Sequence, residues 1–199
     1  MKIVADVAAT NTEYSDLFVP RRITHPMPFF GDPTTAQFAT IGVNPSADEF
    51  GSGRWPSSVT VQELDARCVN YFSNPVPPND WFHGYEDPVN KDKALNILGH
   101  SYMRDTVHLD LSPRPTISMG TLSKTPVLRT LFLKMASTDM QWFLSALALC
   151  SNLKAAIMSG SVTNAHYFDE FLRKHMPSGY TLKLRLRSQS DGEPRRCTT

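Results

Sequence analysis

The chain has 199 residues, of which 41% are apolar and 20% are charged, and its formal net charge is +1. These values are typical of one globular domain with a sizeable core. No apolar run approaches the roughly 18 residues that a membrane-spanning helix needs. The first ten residues also lack the basic and apolar segments of a secretory signal. We therefore expect a cytoplasmic protein, nucleoid-associated if the source is prokaryotic, with no membrane partner.

The cysteines indicate a reducing compartment. Cys68, Cys150 and Cys197 are odd in number, lie far apart and have no zinc-binding spacing. We expect free thiols, with Cys68 and Cys150 filling the core.

Basic residues are concentrated near the C-terminus. Residues 173–199 contain seven basic and two acidic residues, a net charge of +5, which leaves −4 for residues 1–172. A basic segment of this kind suits a phosphate backbone. A solvated, frayed terminus would have the same composition, so charge alone leaves both interpretations open.

The N-terminal part of the chain shows little periodicity. We expect residues 1–24 to form a poorly ordered N-terminal arm. The next segment, His25-Pro26-Met27-Pro28, cannot be helical because it holds two prolines. Phe29 and Phe30 follow it, and they either pack in the core or line a pocket or sheet edge.

A short strand followed by a polar turn is the most informative stretch. The stretch that starts at Phe38 begins as a short apolar run, which predicts a buried strand, and the run stops at Gly-x-Asn-Pro-Ser. Gly42 leaves room for backbone or ligand to come close. Asn44 stands just past the carboxyl end, where ligands bind in open α/β sheets, and Pro45 stops further pairing. Asn44 is therefore a candidate for chemistry, or alternatively a turn-forming residue before Pro45.

The remaining segments alternate between helical and strand patterns. Capping-box spacing from Thr60 to Glu63 predicts a helix over 61–72, and Gly99 is expected to end one or two further helices. Residues 107–111 predict a second strand, whose end lies beside that of the first if the two are parallel neighbours. Further patterns predict a helical face over 128–135 and a helix after a second capping-box spacing at 138–141. They also predict a strand at 153–158, a helix after 159–161 and a strand at 180–187. We expect an α/β fold, a three-layer α/β/α sandwich around a central, mainly parallel four-stranded sheet.

Three of these segments together resemble the uracil-DNA glycosylase superfamily. Gly42-Val43-Asn44-Pro45-Ser46 is similar to the Gly-x-Asn-Pro-Gly first motif of its mismatch-specific and single-strand-selective branches, with Ser46 in place of the final glycine. Residues 107–113 are similar to its second core strand and following loop. Residues 155–160 are similar to its later strand and glycine turn. The resemblance covers about residues 37–175.

The resemblance implies a hydrolase that cleaves the N-glycosidic bond of uracil or a related damaged base flipped out of DNA. It assigns the positioning of water to Asn44, whose side-chain carbonyl can accept a hydrogen bond but is a poor base. Asp48 or Glu49 is close enough in sequence to supply a general base, and we select Asp48. Phe50 resembles the aromatic residue that stacks on the flipped base, with Trp55 or plain core packing as alternatives.

Other candidates lie on the second strand and after the later strand. His108 and Asp110 face one side of their strand, and His108 is either a site residue or a polar core group. Ser159 and Gly160 either bind a phosphate through backbone amides or belong to a plain helix cap. We expect DNA as the partner of a monomer, with no metal and no cofactor. The expected substrate-binding residues are Gly42, Val43, Pro45, Ser46, Phe50, Trp55, His108, Ser159 and Gly160.

One departure from the superfamily concerns its last motif, a His-Pro-Ser loop after the fourth strand. Residues 188–199, which we expect to form a basic C-terminal tail after a domain at 25–187, contain no histidine. His25-Pro26 resembles that motif but precedes the first strand. Either the sequence is truncated, the motif has diverged, or catalysis has been lost. The alternative function is therefore a catalytically inactive glycosylase-like domain that binds nucleic acid or nucleotides, while an esterase-like hydrolase lacks its Gly-x-Ser-x-Gly elbow.

Overall fold

The computed structural model describes residues 11–19, 24–51, 55–56, 58–89, 91–158 and 174. The chain divides after Ala156 into two compact units, and nearly all the described residues belong to the first. The predicted helix after Ser159, the predicted strand at 180–187 and the basic tail lie outside the described residues.

The described residues form helices and a mixed four-stranded sheet, whose strands are β1 (Phe29–Phe30), β2 (Phe38–Gly42), β3 (Thr106–Asp110) and β4 (Ala155–Met158). The strand order in the sheet is β1-β3-β2-β4. β1 is antiparallel to β3, with Phe29 opposite Leu109. β2 is parallel to β3 from Phe38 opposite Thr106 to Gly42 opposite Asp110, so the two predicted strands are parallel neighbours and their carboxyl ends lie side by side.

The expectation of a mainly parallel sheet is wrong because of β1, which the sequence did not predict as a strand. Two prolines precede it and Gly31 follows it with a φ of 92°, a conformation that favours glycine. The antiparallel direction of β1 carries the residues before it to the carboxyl end of β3. There the Met27 amide donates to the Pro113 carbonyl at 2.7 Å.

The predicted helix signals at Thr60 and Gly99 are both confirmed. The Thr60 hydroxyl accepts from the Glu63 amide while the Glu63 carboxylate accepts from the Thr60 amide, and Gly99 ends its helix with a φ of 75°. Among the described residues, no helix combines the length and apolarity needed to cross a bilayer. The α-helices are α1 (Val61–Val69), α2 (Ala94–Leu98), α3 (Met119–Lys124) and α4 (Pro126–Leu149), and the 3-10 helices are Asn11–Leu17, Ala47–Gly51 and Asp80–Gly84.

The second predicted capping box is wrong. Thr138 lies in the middle of the continuous helix α4, and its hydroxyl donates to the Lys134 carbonyl at 3.2 Å. The Gln141 side chain donates to the Thr138 carbonyl at 3.3 Å instead of reaching the Thr138 amide. The Thr-x-x-Gln spacing lies inside a run of residues that favour a helix, so it does not start a new helix.

The core surrounds β2 and β3, all of whose residues are buried. On the face that carries His108, the sheet is covered by an aromatic cluster of Tyr71, Phe72, Phe82 and Tyr102. Cys68 and Cys150 are buried free thiols, as expected. Burial raises the pKa of Cys68 far above its usual range and that of Cys150 to about 11, so both thiols stay protonated.

Part of the N-terminal arm is packed rather than poorly ordered. Within Asn11–Leu17, the side chains of Tyr14 and Leu17 are buried. The Leu17 carbonyl accepts from the Ile117 amide at 2.8 Å, which joins this segment to the chain that follows β3.

Candidate functional site

Two loops leave the carboxyl edge of the sheet side by side. The first loop comprises residues 43–46 after β2, and the second comprises residues 111–117 after β3. The Leu111 amide donates to the Gly42 carbonyl at 3.2 Å and the Ser112 amide to the Val43 carbonyl at 3.0 Å. A further parallel bridge joins Ser46 to Thr116. The pairing of β2 and β3 thus continues past the strands and holds the first loop against the second.

The side-chain amide of Asn44 is fixed in one orientation. Its Nδ2 donates to the Pro45 carbonyl at 2.9 Å and to Thr116 Oγ1 at 2.8 Å. The Thr116 hydroxyl gives its only proton to the Ile117 carbonyl at 2.9 Å, so it can only accept from Asn44. Because both neighbours are acceptors, the amide nitrogen must face them.

The oxygen of the Asn44 amide is in a different environment from its nitrogen. Asn44 Oδ1 is buried and has no hydrogen-bond partner among the described residues. Such a group normally finds a partner, since leaving it unsatisfied costs about 1–3 kcal/mol. The arrangement therefore leaves a buried carbonyl oxygen whose capacity to accept a hydrogen bond is unused among the described residues.

The two carboxylates that follow the first loop differ in environment. Ser46 Oγ accepts from the Asp48 amide at 3.1 Å, at the start of the 3-10 helix Ala47–Gly51, and the Asp48 side chain is exposed. Glu49 is only 4% exposed, and its carboxylate accepts from Trp55 Nε1 at 3.1 Å and from the Tyr71 hydroxyl at 2.8 Å. Glu49 thus holds aromatic side chains, whereas Asp48 faces solvent.

The two candidate stacking residues lie against each other. Phe50 is half-buried, and its ring centroid lies 5.8 Å from that of Trp55. Trp55 is 7% exposed and is stacked on Tyr71 at 6.4 Å, so its faces are largely covered. Of the two, Phe50 has more surface available to a ligand.

His25 lies next to this pair, although its position in the sequence argued against a place near the site. Its ring meets the Phe50 ring at 5.9 Å in an edge-on arrangement, and its Nε2 is 2.9 Å from the Pro56 carbonyl. The antiparallel course of β1 accounts for this placement, because it brings the residues before β1 to the carboxyl edge. A two-residue strand gave no sequence pattern from which this could have been predicted.

The space over Gly42 is filled by two polar side chains of β3. A Cβ atom on Gly42 would meet Asp110 Oδ1 and would lie 2.8 Å from His108 Nε2. The glycine therefore makes room for side chains, not for backbone or ligand as its position suggested.

A buried row of hydrogen bonds runs along this face of the sheet. Thr40 Oγ1 lies 2.8 Å from both the Tyr102 hydroxyl and His108 Nδ1. His108 Nε2 lies 3.3 Å from Asp110 Oδ1. With the His108 proton on Nε2, every donor has an acceptor: Tyr102 donates to Thr40, Thr40 to His108, and His108 to Asp110. His108 is thus a polar core group held by side chains, and burial raises the pKa of Tyr102 well above its usual range.

The second loop is anchored by a buried ion pair. Arg114 and Asp139 are 1% and 0% exposed, and Arg114 Nε and a terminal guanidinium nitrogen both lie 3.0 Å from the Asp139 carboxylate. Ser112 Oγ donates to the same carboxylate at 2.6 Å. Burial raises the pKa of Asp139, and the contacts from Arg114 and Ser112 oppose that rise. A single acid on the buried face of α4 was the signal in the sequence that could have revealed this pair.

Val43 is half-buried and Pro45 is buried within the first loop, while Ser159 and Gly160 lie outside the described residues. In the part of the chain that the structure describes, no group of three or more His, Cys, Asp or Glu side chains is placed to hold a metal ion. Comparisons with protein-family models, with curated proteins and with solved structures gave no match to this chain.

Proposed function

We propose that this protein is a DNA glycosylase that hydrolyses the N-glycosidic bond of uracil or a related damaged base flipped out of DNA. The observation that carries the proposal is Asn44, which lies at the carboxyl end of β2 with its amide nitrogen tied and its carbonyl oxygen buried without a partner among the described residues. An oxygen presented in this way is suited to orient an attacking water.

In the proposed reaction, a water molecule donates one hydrogen bond to Asn44 Oδ1. Its oxygen forms a bond to the sugar C1′ as the bond from C1′ to the base breaks, and the base leaves with the electron pair. The exposed carboxylate of Asp48 accepts the proton that the water loses. Phe50 offers a face on which the flipped base stacks, a contact worth roughly 1–3 kcal/mol.

The proposal includes the finer architecture that the resemblance implies. We propose that helices cover both faces of the sheet in a three-layer α/β/α sandwich. The parallel pairing of β2 with β3 and the packing of α1 and α4 against strands of the sheet support this arrangement.

Base release from synthetic DNA tests the function. Uracil-containing single- and double-stranded oligonucleotides are incubated with excess protein at low salt, and strand breakage at the abasic product is measured. We expect release by the wild type and a loss of about 100-fold in the single-turnover rate for Asn44→Ala, the usual scale for one lost positioning group at a reacting centre.

Asn152→Ala is the matched control. Asn152 is exposed, and its side chain donates to the Thr34 carbonyl at 3.0 Å, before the amino end of β2 and so away from Asn44. We expect its rate to equal that of the wild type. Absence of base release by the wild type under these conditions would refute the proposed reaction.

A second candidate is a glycosylase-like domain that binds nucleic acid without cleaving it. It is favoured by the basic composition of residues 173–199, whose net charge of +5 suits a phosphate backbone. This candidate predicts binding to oligonucleotides that weakens as salt rises, with no base released. Binding that is insensitive to salt would argue against it.

A further inference from the structure

We propose that Thr116 is a positioning residue for Asn44, fixing which end of the Asn44 amide points into the site. The expected effect on catalysis rests on the proposed function. The expected orientation of the Asn44 amide rests on the hydrogen-bond geometry alone. Thr116 lies 72 residues from Asn44 in sequence, and its hydroxyl oxygen is 2.8 Å from Asn44 Nδ2.

The direction of the hydrogen bonds decides the orientation of the amide. A threonine hydroxyl can donate one proton, and Thr116 donates it to the Ile117 carbonyl. The oxygen then offers only lone pairs to Asn44, which selects the NH₂ end. If the amide rotated by 180°, Oδ1 would face the Pro45 carbonyl, a second acceptor, and Thr116 could donate to Oδ1 only by giving up its hydrogen bond to the Ile117 carbonyl.

Thr116 itself is held from three sides. It is 1% exposed and its backbone is bridged to Ser46 of the first loop. The next residue, Ile117, donates its amide to the Leu17 carbonyl of the N-terminal segment at 2.8 Å. Two residues before it, Arg114 is bound to Asp139 of α4. The hydroxyl therefore has a fixed position from which to orient Asn44.

Without this hydroxyl, the Asn44 amide would keep only the Pro45 carbonyl as a partner on its nitrogen. The amide would then sample other orientations, and the carbonyl oxygen would spend less time aimed at the attacking water. The effect should appear in the chemical step rather than in substrate binding, because Thr116 acts through Asn44 and not on the DNA.

Three variants test the inference. Thr116→Val keeps the shape and removes the hydroxyl, whereas Thr116→Ser keeps the hydroxyl and removes a methyl group. Thr106→Val makes the same exchange at another buried threonine, 3% exposed, at the amino end of β3. Base release is measured as kcat and KM for each variant, and the Asn44 side-chain NH₂ is followed by 15N NMR for its hydrogen exchange.

We expect Thr116→Val to lower kcat about tenfold with little change in KM, the factor that corresponds to one hydrogen bond of ordinary strength. Thr116→Ser and Thr106→Val should keep kcat within about threefold of the wild type, because each leaves the hydrogen bond from Asn44 to Thr116 in place. A variant with both Asn44→Ala and Thr116→Val should be no slower than Asn44→Ala alone, since the second residue acts only through the first.

The NMR measurement separates this inference from the proposed reaction. The Asn44 NH₂ protons should exchange slowly in the wild type and in Thr116→Ser, and faster in Thr116→Val. That result supports the positioning role even if the wild type releases no base. Unchanged exchange in Thr116→Val overturns the inference whether or not base is released. Where the wild type does release base, a Thr116→Val kcat equal to that of the wild type also overturns it.

Discussion

At the residue scale, Gly42 shows how neighbouring side chains can require a glycine at the end of a strand. The motif around it suggested space for a ligand or for backbone. In the structure that space holds the side chains of His108 and Asp110, which close the buried row that begins at Tyr102. Any side chain at position 42 must displace a polar pair that is almost fully buried.

Gly42→Ala should therefore destabilise the protein by about 1–3 kcal/mol, the usual cost of forcing extra atoms into a packed core. Urea unfolding followed by circular dichroism measures the change in the free energy of unfolding. Gly84→Ala is the control, because a Cβ on Gly84 would meet nothing within 4 Å. A stability of Gly42→Ala equal to that of the control would contradict the packing described here.

The sequence predicted the place of Asn44 correctly but not what surrounds it. A strand followed by Gly-x-Asn-Pro was enough to place an amide at the carboxyl edge. Thr116 could not be recognised, because a lone threonine after a Pro-rich loop has no local pattern that links it to a residue 72 positions earlier. Contacts of this kind depend on the pairing of β2 with β3, which only the tertiary structure provides.

At the scale of elements, α1 and α4 show when a capping-box spacing starts a helix. Thr60 follows residues without helical pattern and its hydroxyl accepts from the Glu63 amide, as a cap must. Thr138 follows a run of good helix formers, so its amide is already used by the helix. The same spacing therefore had opposite outcomes, decided by what precedes the threonine.

The same substitution at these two threonines should have opposite effects. Thr60→Ala removes a cap and should lower the free energy of unfolding by about 1 kcal/mol. Thr138→Ala places a better helix former at an exposed helix position and should raise it by about 0.5 kcal/mol. Thermal unfolding of both variants measures the two shifts, and a loss of stability in Thr138→Ala would indicate that α4 is two helices.

The sequence predicted β2, β3 and β4 within one or two residues, and it missed β1. A short apolar run indicated β2, an alternating pattern indicated β3, and the segment at 153–158 indicated β4. β1 has only two residues, and its pairing with β3 is decided by the burial of Phe29 and Phe30 against the sheet. Because this short strand reverses direction, it also determines that His25 lies beside Phe50.

At the scale of the whole unit that ends at Ala156, the Arg114–Asp139 pair joins segments that are far apart in sequence. The Arg114 guanidinium forms an ion pair with the Asp139 carboxylate. It also lies 5.5 Å from the centre of the Tyr14 ring and 5.3 Å from the centre of the Trp142 ring. It thus connects the N-terminal segment, the second loop and α4 within the interior. Buried pairs of this kind add little net stability because both charges lose their hydration, whereas loss of one partner leaves a buried charge uncompensated.

Asp139→Ala should lower the free energy of unfolding by about 3–5 kcal/mol, since it leaves a buried guanidinium facing the cavity of its lost carboxylate. Replacing both partners, as Arg114→Met with Asp139→Leu, should cost clearly less than the single change. Guanidinium chloride unfolding compares the two variants. A double variant less stable than Asp139→Ala would show that the charges themselves are needed.

The continuation of the β2–β3 pairing into the two loops has a consequence for the newly made chain. Asn44 leaves the ribosome long before Thr116 and Asp139, so its amide has no fixed orientation while the middle of the chain is being synthesised. During that interval β2 also has neither β3 nor β4 beside it, and its five apolar or small residues are open to wrong pairing. We therefore expect nascent chains that stop before residue 106 to need a chaperone, and ribosome-bound intermediates of increasing length to gain protease resistance only after α4 has emerged.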